Sequence, residues 1–253
     1  MIYIVSSFLA LVCATLTYIL YKTLSVAVND EKETTAFLKE LKSLKLKEIR
    51  TIKGIIFFVV TLVLNLVINN SFAYLLDFNV TTIIYMLCVP FFITAALIDF
   101  KQQLIPDMIH IFLGILGLIN LVFNLNDCTS LTLGAIFGGL VFLIIGFLAK
   151  IIYKKEGMGF GDVKLMAAIG LIVGLKNIVT ISLFSFFIAA AYAIVLLIFR
   201  AKSLQEYIAF GPFIVIATIL VMMFGADIFI QAFLSMCGAL GELIFEGINR
   251  LVS

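Results

Sequence analysis

The chain is a succession of long apolar blocks separated by short polar segments. Eight blocks occupy residues 2–21, 54–76, 81–98, 108–123, 131–152, 163–175, 178–199 and 207–224. A membrane-spanning helix needs about 20 consecutive apolar residues, and a helix satisfies its own backbone hydrogen bonds inside a bilayer. Because 64% of the residues are hydrophobic and 13% are charged, an ordinary soluble domain is excluded. The sequence therefore predicts an all-α, polytopic membrane protein with about eight transmembrane helices.

The two ends of the chain need separate interpretation. A ninth apolar block, residues 228–245, contains Glu242 and Glu246, so it either crosses the membrane as a ninth span or lies at the interface. No positively charged segment precedes residues 2–21, and no A-x-A-like cleavage site clearly follows them. We therefore expect the first block to be a retained span rather than a cleaved signal peptide.

The lysines and arginines decide the predicted orientation, because cytoplasmic loops carry an excess of them. If residues 22–53 are cytoplasmic and the spans alternate, all 17 basic residues except Lys176 and Arg250 fall on the cytoplasmic side, which leaves 15 there. The sequence thus predicts an N-terminus outside. Within this amphipathic segment 22–53, residues 29–53 are predicted to form a basic helix on the inner leaflet, which we interpret as a connector rather than a substrate-docking element. The net charge of +2 says little about partners, and no nucleic-acid partner is expected.

Two aspartates end apolar spans on this same predicted face. Asp99 lies at the end of the third block and Asp162 at the start of the sixth, 63 positions later (162 − 99). An acid at the edge of a membrane span is costly to place, which makes it a functional candidate. A lone Asp at a helix end is usually a cap or an interfacial charge. Because these two share one face, we take them as the candidate catalytic residues.

Two carboxyl groups at one place are sufficient for aspartyl-protease chemistry. Carboxylates about 3 Å apart cannot both ionise cheaply, so one of them stays protonated. The ionised partner takes a proton from water, and the protonated partner donates to the scissile carbonyl. The sequence assigns neither role to Asp99 or Asp162, because such a pair titrates as a unit.

Residues around the aspartates are candidates for substrate binding or loop support. They are Gly159, Phe160, Gly161, Lys101, Lys164, Pro106 and Asp107. The two glycines flank Phe160 just before Asp162 and allow a peptide strand to approach the backbone closely. Pro106 stiffens the turn after Asp99 and is expected at the first position of the next helix.

The charged neighbours have a second interpretation. Lys101 and Lys164 each lie two residues past an aspartate, and each either acts on that carboxylate or faces the lipid headgroups. Asp107 competes with Asp99 for the catalytic role. Because Asp107 follows the Ile105-Pro106 turn, capping the next helix is its more natural role.

Glycine spacing inside the spans predicts close helix packing. Gly134/Gly138 and Gly170/Gly174 are G-x-x-x-G pairs, which let two membrane helices approach closely. We interpret them as internal packing sites before dimerisation sites, and the oligomeric state is not predicted.

The sequence predicts no metal site. Its four cysteines form no C-x-x-C pair, and the one histidine, His110, cannot build a metal centre alone. A buried or interfacial polar contact is the expected role of His110.

The aspartate motifs resemble those of the type IV prepilin peptidase family, the bacterial G-x-G-D membrane aspartyl proteases. The first motif is AALID at residues 95–99 followed by IPD at 105–107, the second is GFGDVKL at 159–165, and a weaker third is AFGPF at 209–213. The resemblance covers roughly residues 80–225. It implies that Asp99 and Asp162 are the catalytic pair.

The resemblance also implies a substrate and a location. Family members remove a short basic leader from prepilin-like proteins, whose leader precedes an apolar helix, at the cytoplasmic face of the inner membrane. We accordingly expect an N-terminal helical hairpin over residues 1–80 with the amphipathic segment 22–53. A peptidase core over 81–225 and a C-terminal apolar tail helix over 226–253 follow it.

Cofactor use is the point at which this chain departs from the family pattern. Proteolysis by an aspartate pair needs no cofactor. Many family members also methylate the new N-terminus with S-adenosylmethionine, and carry a zinc-binding C-x-x-C…C-x-x-C segment between the first two spans. Residues 22–53 contain no cysteine, so zinc is excluded there. S-adenosylmethionine is expected only if methylation is retained.

Two other interpretations stay open. A presenilin-like intramembrane protease also uses G-x-G-D, but pairs it with Tyr-Asp and Pro-Ala-Leu motifs, whereas Asp99 follows Ile98 and Pro-Ala-Leu is absent from this sequence. A non-catalytic scaffold, or a cation or proton transporter, also uses paired acids. Such a transporter is expected to place its acids near the bilayer midplane rather than at one edge.

Overall fold

The computed structural model describes residues 2–27, 52–153, 159–199 and 209–238, and every regular element in these ranges is helical. The helices are α1 (Ile2–Ala27), α2 (Ile52–Leu75), α3 (Val80–Gln102), α4 (Asp107–Phe123), α5 (Cys128–Tyr153), α6 (Phe160–Val173), α7 (Leu175–Ile198), α8 (Gly211–Phe224) and α9 (Ala226–Gly238). A single 3-10 turn, Leu125–Asp127, precedes α5. The predicted all-α class is confirmed.

Length and composition separate these helices into two groups. Five of the described helices, α1, α2, α3, α5 and α7, are long and apolar enough to cross a membrane. Helices α8 and α9 add a sixth span if they are taken together, although they bend by 105° at Gly225, whose φ is +76°. Helix α4 has 17 residues and α6 has 14, so both are shorter. The chain is a multi-pass membrane protein, and the span count of eight and the outside N-terminus stay predictions.

Two predicted features lie wholly or mostly outside the described residues. The amphipathic segment 22–53 contributes only the end of α1 and the start of α2 to them, so its central part is not described. Glu242 and Glu246 also lie outside, whereas the start of the predicted tail helix is present as α9.

The interface between α5 and α6 depends on glycine. A β-carbon on Gly134 would lie 2.6 Å from the carbonyl oxygen of Gly170, and one on Gly138 would lie 2.5 Å from the carbonyl oxygen of Met166. The two backbones therefore touch where the sequence has its G-x-x-x-G spacings. The predicted use of these glycines in internal packing is confirmed.

The buried core lies between α3, α4, α6 and α8. Phe92, Leu113, Ile169 and Ile214, one from each helix, are all 0% exposed. Close packing of this kind fixes the positions of these four helices, and so of their ends, relative to one another.

Local backbone geometry sets how these helices end. Helix α3 stops because Gln103 adopts a left-handed conformation (φ 54°) and its N–H donates to the carbonyl oxygen of Asp99 at 2.8 Å. Helix α4 begins at Asp107, directly after Pro106, whose φ is −59°. The expectation for Pro106 is thus corrected by one position, because it is the residue before the helix rather than its first residue.

Candidate active site

A cavity of about 500 Å³ opens among these helix ends. Its walls come from the end of α3, the α3–α4 connection, the end of α5, the start of α6, α7 and the segment before α8. They are formed by Asp99, Gln103, Leu104, Ile105, Asp107, Ile145, Ala149, Gly159, Phe160, Gly161, Asp162, Lys164, Phe186, Ala209 and Phe210. Seven of the nine candidate site residues therefore line this cavity, namely both aspartates, Gly159, Phe160, Gly161, Lys164 and Asp107, whereas Lys101 and Pro106 do not.

Asp99 and Asp162 are the two buried acids of this cavity. Asp99 lies in the last turn of α3 and is 5% exposed, and Asp162 lies in the first turn of α6 and is 6% exposed. The two carboxyl groups interact electrostatically. Two neighbouring carboxylates repel each other, which is the arrangement that an acid pair needs in order to share a proton.

Each of the two carboxyl groups has one backbone partner, Gly211 for Asp99 and Gly159 for Asp162. Oδ2 of Asp99 accepts a hydrogen bond from the backbone N–H of Gly211 at 2.8 Å. Oδ1 of Asp162 is buried and has no hydrogen-bond partner in the structure. A buried carboxyl oxygen without a hydrogen-bond donor raises the free energy of the folded state, unless a water or a substrate group donates a hydrogen bond to it.

The glycine segment before Asp162 joins the two acid-bearing segments. The N–H of Asp162 donates to the carbonyl oxygen of Gly159 at 3.1 Å and so begins α6. A β-carbon on Gly161 would lie 3.3 Å from Cβ of Ile105 in the α3–α4 connection, so the two segments are in close contact. Phe160 is 64% exposed and lies on the cavity wall. The arrangement leaves open backbone beside the carboxyl groups, where an extended peptide has room.

Lys164 and Asp107 lie together at the edge of the cavity. Lys164 Nζ is 2.6 Å from Oδ1 of Asp107 and 5.2 Å from the centre of the Phe160 ring. His110 is 8% exposed, with Nδ1 3.6 Å from the same Asp107 oxygen. Asp107 makes no side-chain cap on α4, so that expectation is wrong. Its carboxylate is engaged by Lys164 instead.

The structure does not bring Lys101 to the cavity. Its ammonium group lies 2.6 Å from the hydroxyl of Tyr21 on α1 and 5.2 Å from the centre of that ring. The contacts with Tyr21 on the neighbouring helix α1, and not the spacing from Asp99, decide where this side chain lies. The expectation that Lys101 supports the site is therefore corrected.

Sequence reasoning missed the part played by Gly211. The AFGPF run at 209–213 entered only as the weakest motif, yet its glycine contacts Asp99 across 112 positions. A β-carbon on Gly211 would lie 2.7 Å from Asp99 Oδ2, so glycine is the residue that fits. The motif itself was the available signal, but no spacing rule connects it with Asp99.

Within the described ranges, no group of three or more His, Cys, Asp or Glu side chains is placed to hold a metal ion. Cys13 and Cys88, 1% and 0% exposed, lie in the core as free thiols.

Comparison with known proteins adds a second line of evidence. Residues 86–194 match the type IV leader peptidase family, and this range includes Asp99, the glycine segment and Asp162. The resemblance to the prepilin peptidases is confirmed. A prepilin leader peptidase/N-methyltransferase of Xanthomonas campestris is 34% identical over 139 residues, which is 54% of this chain and 48% of the relative.

Two further relatives bear the same name. The Pseudomonas aeruginosa protein is 34% identical over 134 residues, covering 53% of this chain and 46% of the relative. The Escherichia coli protein is 33% identical over 131 residues, covering 51% of this chain and 58% of the relative. The chain thus spans about half the length of the curated relatives it matches. No solved structure matches this chain.

Proposed function

We propose that this chain is a membrane aspartyl endopeptidase that removes the leader from prepilin-like proteins. The observation that carries the proposal is the meeting of Asp99 and Asp162, both nearly buried, in one cavity beside an open glycine segment. The names of the relatives support the substrate class. The family match, residues 86–194, includes both aspartates.

The proposed reaction uses the shared proton of the pair. The ionised carboxyl removes a proton from water while the water oxygen attacks the scissile carbonyl carbon, and the other carboxyl gives its proton to the carbonyl oxygen. The resulting gem-diol collapses when the first carboxyl passes its proton to the amide nitrogen and the C–N bond breaks. A gem-diol hydroxyl returns a proton to the second carboxyl. The products are a free carboxyl and a free amine, and the pair is restored.

The substrate is proposed to lie along the glycine segment with its apolar helix in the membrane. An extended chain next to Gly159 and Gly161 meets exposed backbone rather than side chains. The cytoplasmic face of the inner membrane is the proposed side of cleavage, because the Lys and Arg bias predicts that these helix ends are cytoplasmic. A short basic leader suits this face, where anionic lipid attracts positive charge.

Cleavage of a candidate prepilin in membranes tests the proposal. Wild type, Asp99→Ala and Asp162→Ala are compared by gel and intact mass, with Asp77→Ala as the matched control, an exposed aspartate on the α2–α3 connection. We expect both cavity variants to lose cleavage by about 100-fold or more, the usual scale of acid–base catalysis. The control is expected to keep it.

The same experiment decides between the proposal and its alternatives. Cleavage that survives either cavity substitution removes that aspartate from the mechanism. A wild-type protein that cleaves no prepilin-like substrate favours the scaffold or transporter interpretation, and cleavage inside the substrate's apolar helix favours a presenilin-like protease.

Methyl transfer is a second candidate activity, favoured by the relatives, which are named prepilin leader peptidase/N-methyltransferase. In the described part of the cavity lining no feature marks a nucleoside site for S-adenosylmethionine. We therefore assign no step to it. A product 14 Da heavier when S-adenosylmethionine is added would establish the activity.

A further inference from the structure

The last turn of α3, which carries Asp99, is hydrogen-bonded to helix α1. Nζ of Lys101 donates to the hydroxyl of Tyr21 at 2.6 Å, and Nε2 of Gln102 donates to the backbone carbonyl oxygen of Ser25 at 2.8 Å. The two donors follow Asp99 by two and three positions in the sequence. Helix α1 contributes no residue to the described cavity wall, so it holds this turn from outside the cavity.

The contact with Ser25 also satisfies the end of α1. Ser25 lies in the last turn of this helix, which ends at Ala27. The last four carbonyl groups of an α-helix have no partner within the helix. Gln102 donates to one of these four groups. The contact therefore stabilises the end of α1 and the end of α3 together.

Packing keeps the acceptor on α1 in a fixed place. Leu20 and Leu24, one residue before and three residues after Tyr21, are 3% and 0% exposed, so this part of α1 is anchored in the core. The ring of Tyr21 lies 4.7 Å from that of Phe57 on α2, measured between ring centres. The hydroxyl of Tyr21 is thus held by both helices of the N-terminal hairpin.

We propose that Tyr21 is a positioning residue, and that α1, through Tyr21 and Ser25, holds the last turn of α3 so that the carboxyl group of Asp99 stays in place beside Asp162. The inference rests on the proposed peptidase function and deepens it. Catalysis depends steeply on the placement of the reacting groups, so a looser turn lowers the rate. Helix α1 lies outside residues 86–194 that match the family. The N-terminal hairpin is then a functional part of the peptidase as well as a membrane anchor.

Tyr21→Phe tests this role with the smallest change, because it removes the hydroxyl and keeps the ring. Cleavage of a candidate prepilin by the full chain in nanodiscs is measured as separate kcat and KM values. We expect kcat to fall about three- to tenfold, the scale of one lost hydrogen bond to a charged donor, with KM nearly unchanged and a melting temperature close to that of wild type. Tyr74→Phe is the matched control, since Tyr74 on α2 is 76% exposed, and it should behave as wild type.

A double-mutant cycle tests whether Lys101 acts through Tyr21. Lys101→Met should lower kcat as Tyr21→Phe does, and the double variant should be no slower than either single variant, because all three lack the same contact. Lys101→Arg keeps a charged donor and should recover most of the rate. Lys176→Met, which breaks an ion pair with Asp227 at the other end of α7, is the control for the loss of a lysine.

Gln102→Leu tests the second contact with α1. It removes the donor to the carbonyl oxygen of Ser25, which is separate from the hydroxyl of Tyr21. Its effect on kcat should therefore multiply that of Tyr21→Phe. Gln231→Leu on the exposed side of α9 is the matched control and should leave kcat unchanged.

The outcomes separate this inference from the proposed function. If cleavage requires both aspartates but Tyr21→Phe has the kcat of wild type, or if the effects of Tyr21→Phe and Lys101→Met multiply, the positioning role is overturned and the peptidase stands. If Tyr21→Phe does not fold, the comparison of Lys101→Met with Lys101→Arg decides. If wild type does not cleave, or cleaves without either aspartate, both proposals fall.

Discussion

Lys164 and Asp107 form an ion pair that joins the second turn of α6 to the first residue of α4, with 2.6 Å between Nζ and Oδ1. Their side chains are 39% and 58% exposed. By sequence, Asp107 competed with Asp99 for the catalytic role, yet Asp99 is buried in the same cavity as buried Asp162. Burial and partners therefore distinguish the two acids that a short motif places eight residues apart.

Asp107→Asn is expected to have a small effect. An exposed ion pair contributes at most about 1 kcal/mol, so kcat/KM for prepilin cleavage should fall by less than about tenfold. Lys164→Met should have an effect of similar size, because it breaks the same pair. If Asp107→Asn lowered kcat/KM as much as Asp162→Asn does, Asp107 would be a catalytic residue.

The pH dependence of cleavage should be bell-shaped. At low pH both carboxyls of the pair are protonated and no base remains. At high pH both are ionised and no proton is available for the scissile carbonyl. Measuring kcat/KM in nanodiscs across the pH range checks this, and a rate that rises to a plateau at high pH would contradict a shared proton.

Gly134→Ala should destabilise the protein, because its β-carbon would lie 2.6 Å from the carbonyl oxygen of Gly170. Overpacking of this kind costs about 1–3 kcal/mol, and two contacting backbones have little room to adjust. Gly114→Ala, which meets open space, is the control. The readout is a thiol-reactive dye that reports exposure of buried Cys13 and Cys88, in a background with Cys128 and Cys237 changed to serine. Equal melting temperatures for both variants would contradict the close approach.

Labelling of single cysteines tests the predicted orientation. In a cysteine-free background, Asn126→Cys lies in the exposed turn before α5 and Leu104→Cys in the exposed connection after α3. With the N-terminus outside, a membrane-impermeant maleimide should label Asn126→Cys in intact spheroplasts, and Leu104→Cys only after the membrane is broken. The reverse pattern would place the cavity on the outer face.

The sequence alone predicted those features whose signal lies in neighbouring residues. The helical class follows from apolar blocks that are long enough to span a bilayer. Because the bilayer core holds no water, the backbone N–H and C=O groups of such a block must pair with each other within a helix. Asp99 and Asp162 stand out because charge at the edge of such a block is costly. The glycine pairs of α5 and α6 show as short repeats, so their packing role was predicted too.

Only the tertiary structure decided where side chains point and which residues distant in the sequence are in contact. Lys101 and Lys164 have the same spacing from an aspartate, yet only Lys164 reaches the cavity, because rotation around each helix and the neighbouring helices determine where a side chain points. The contact between Gly211 and Asp99 joins positions 112 residues apart. No periodicity along the chain encodes such a contact, since it exists only once α3 and α8 are packed side by side.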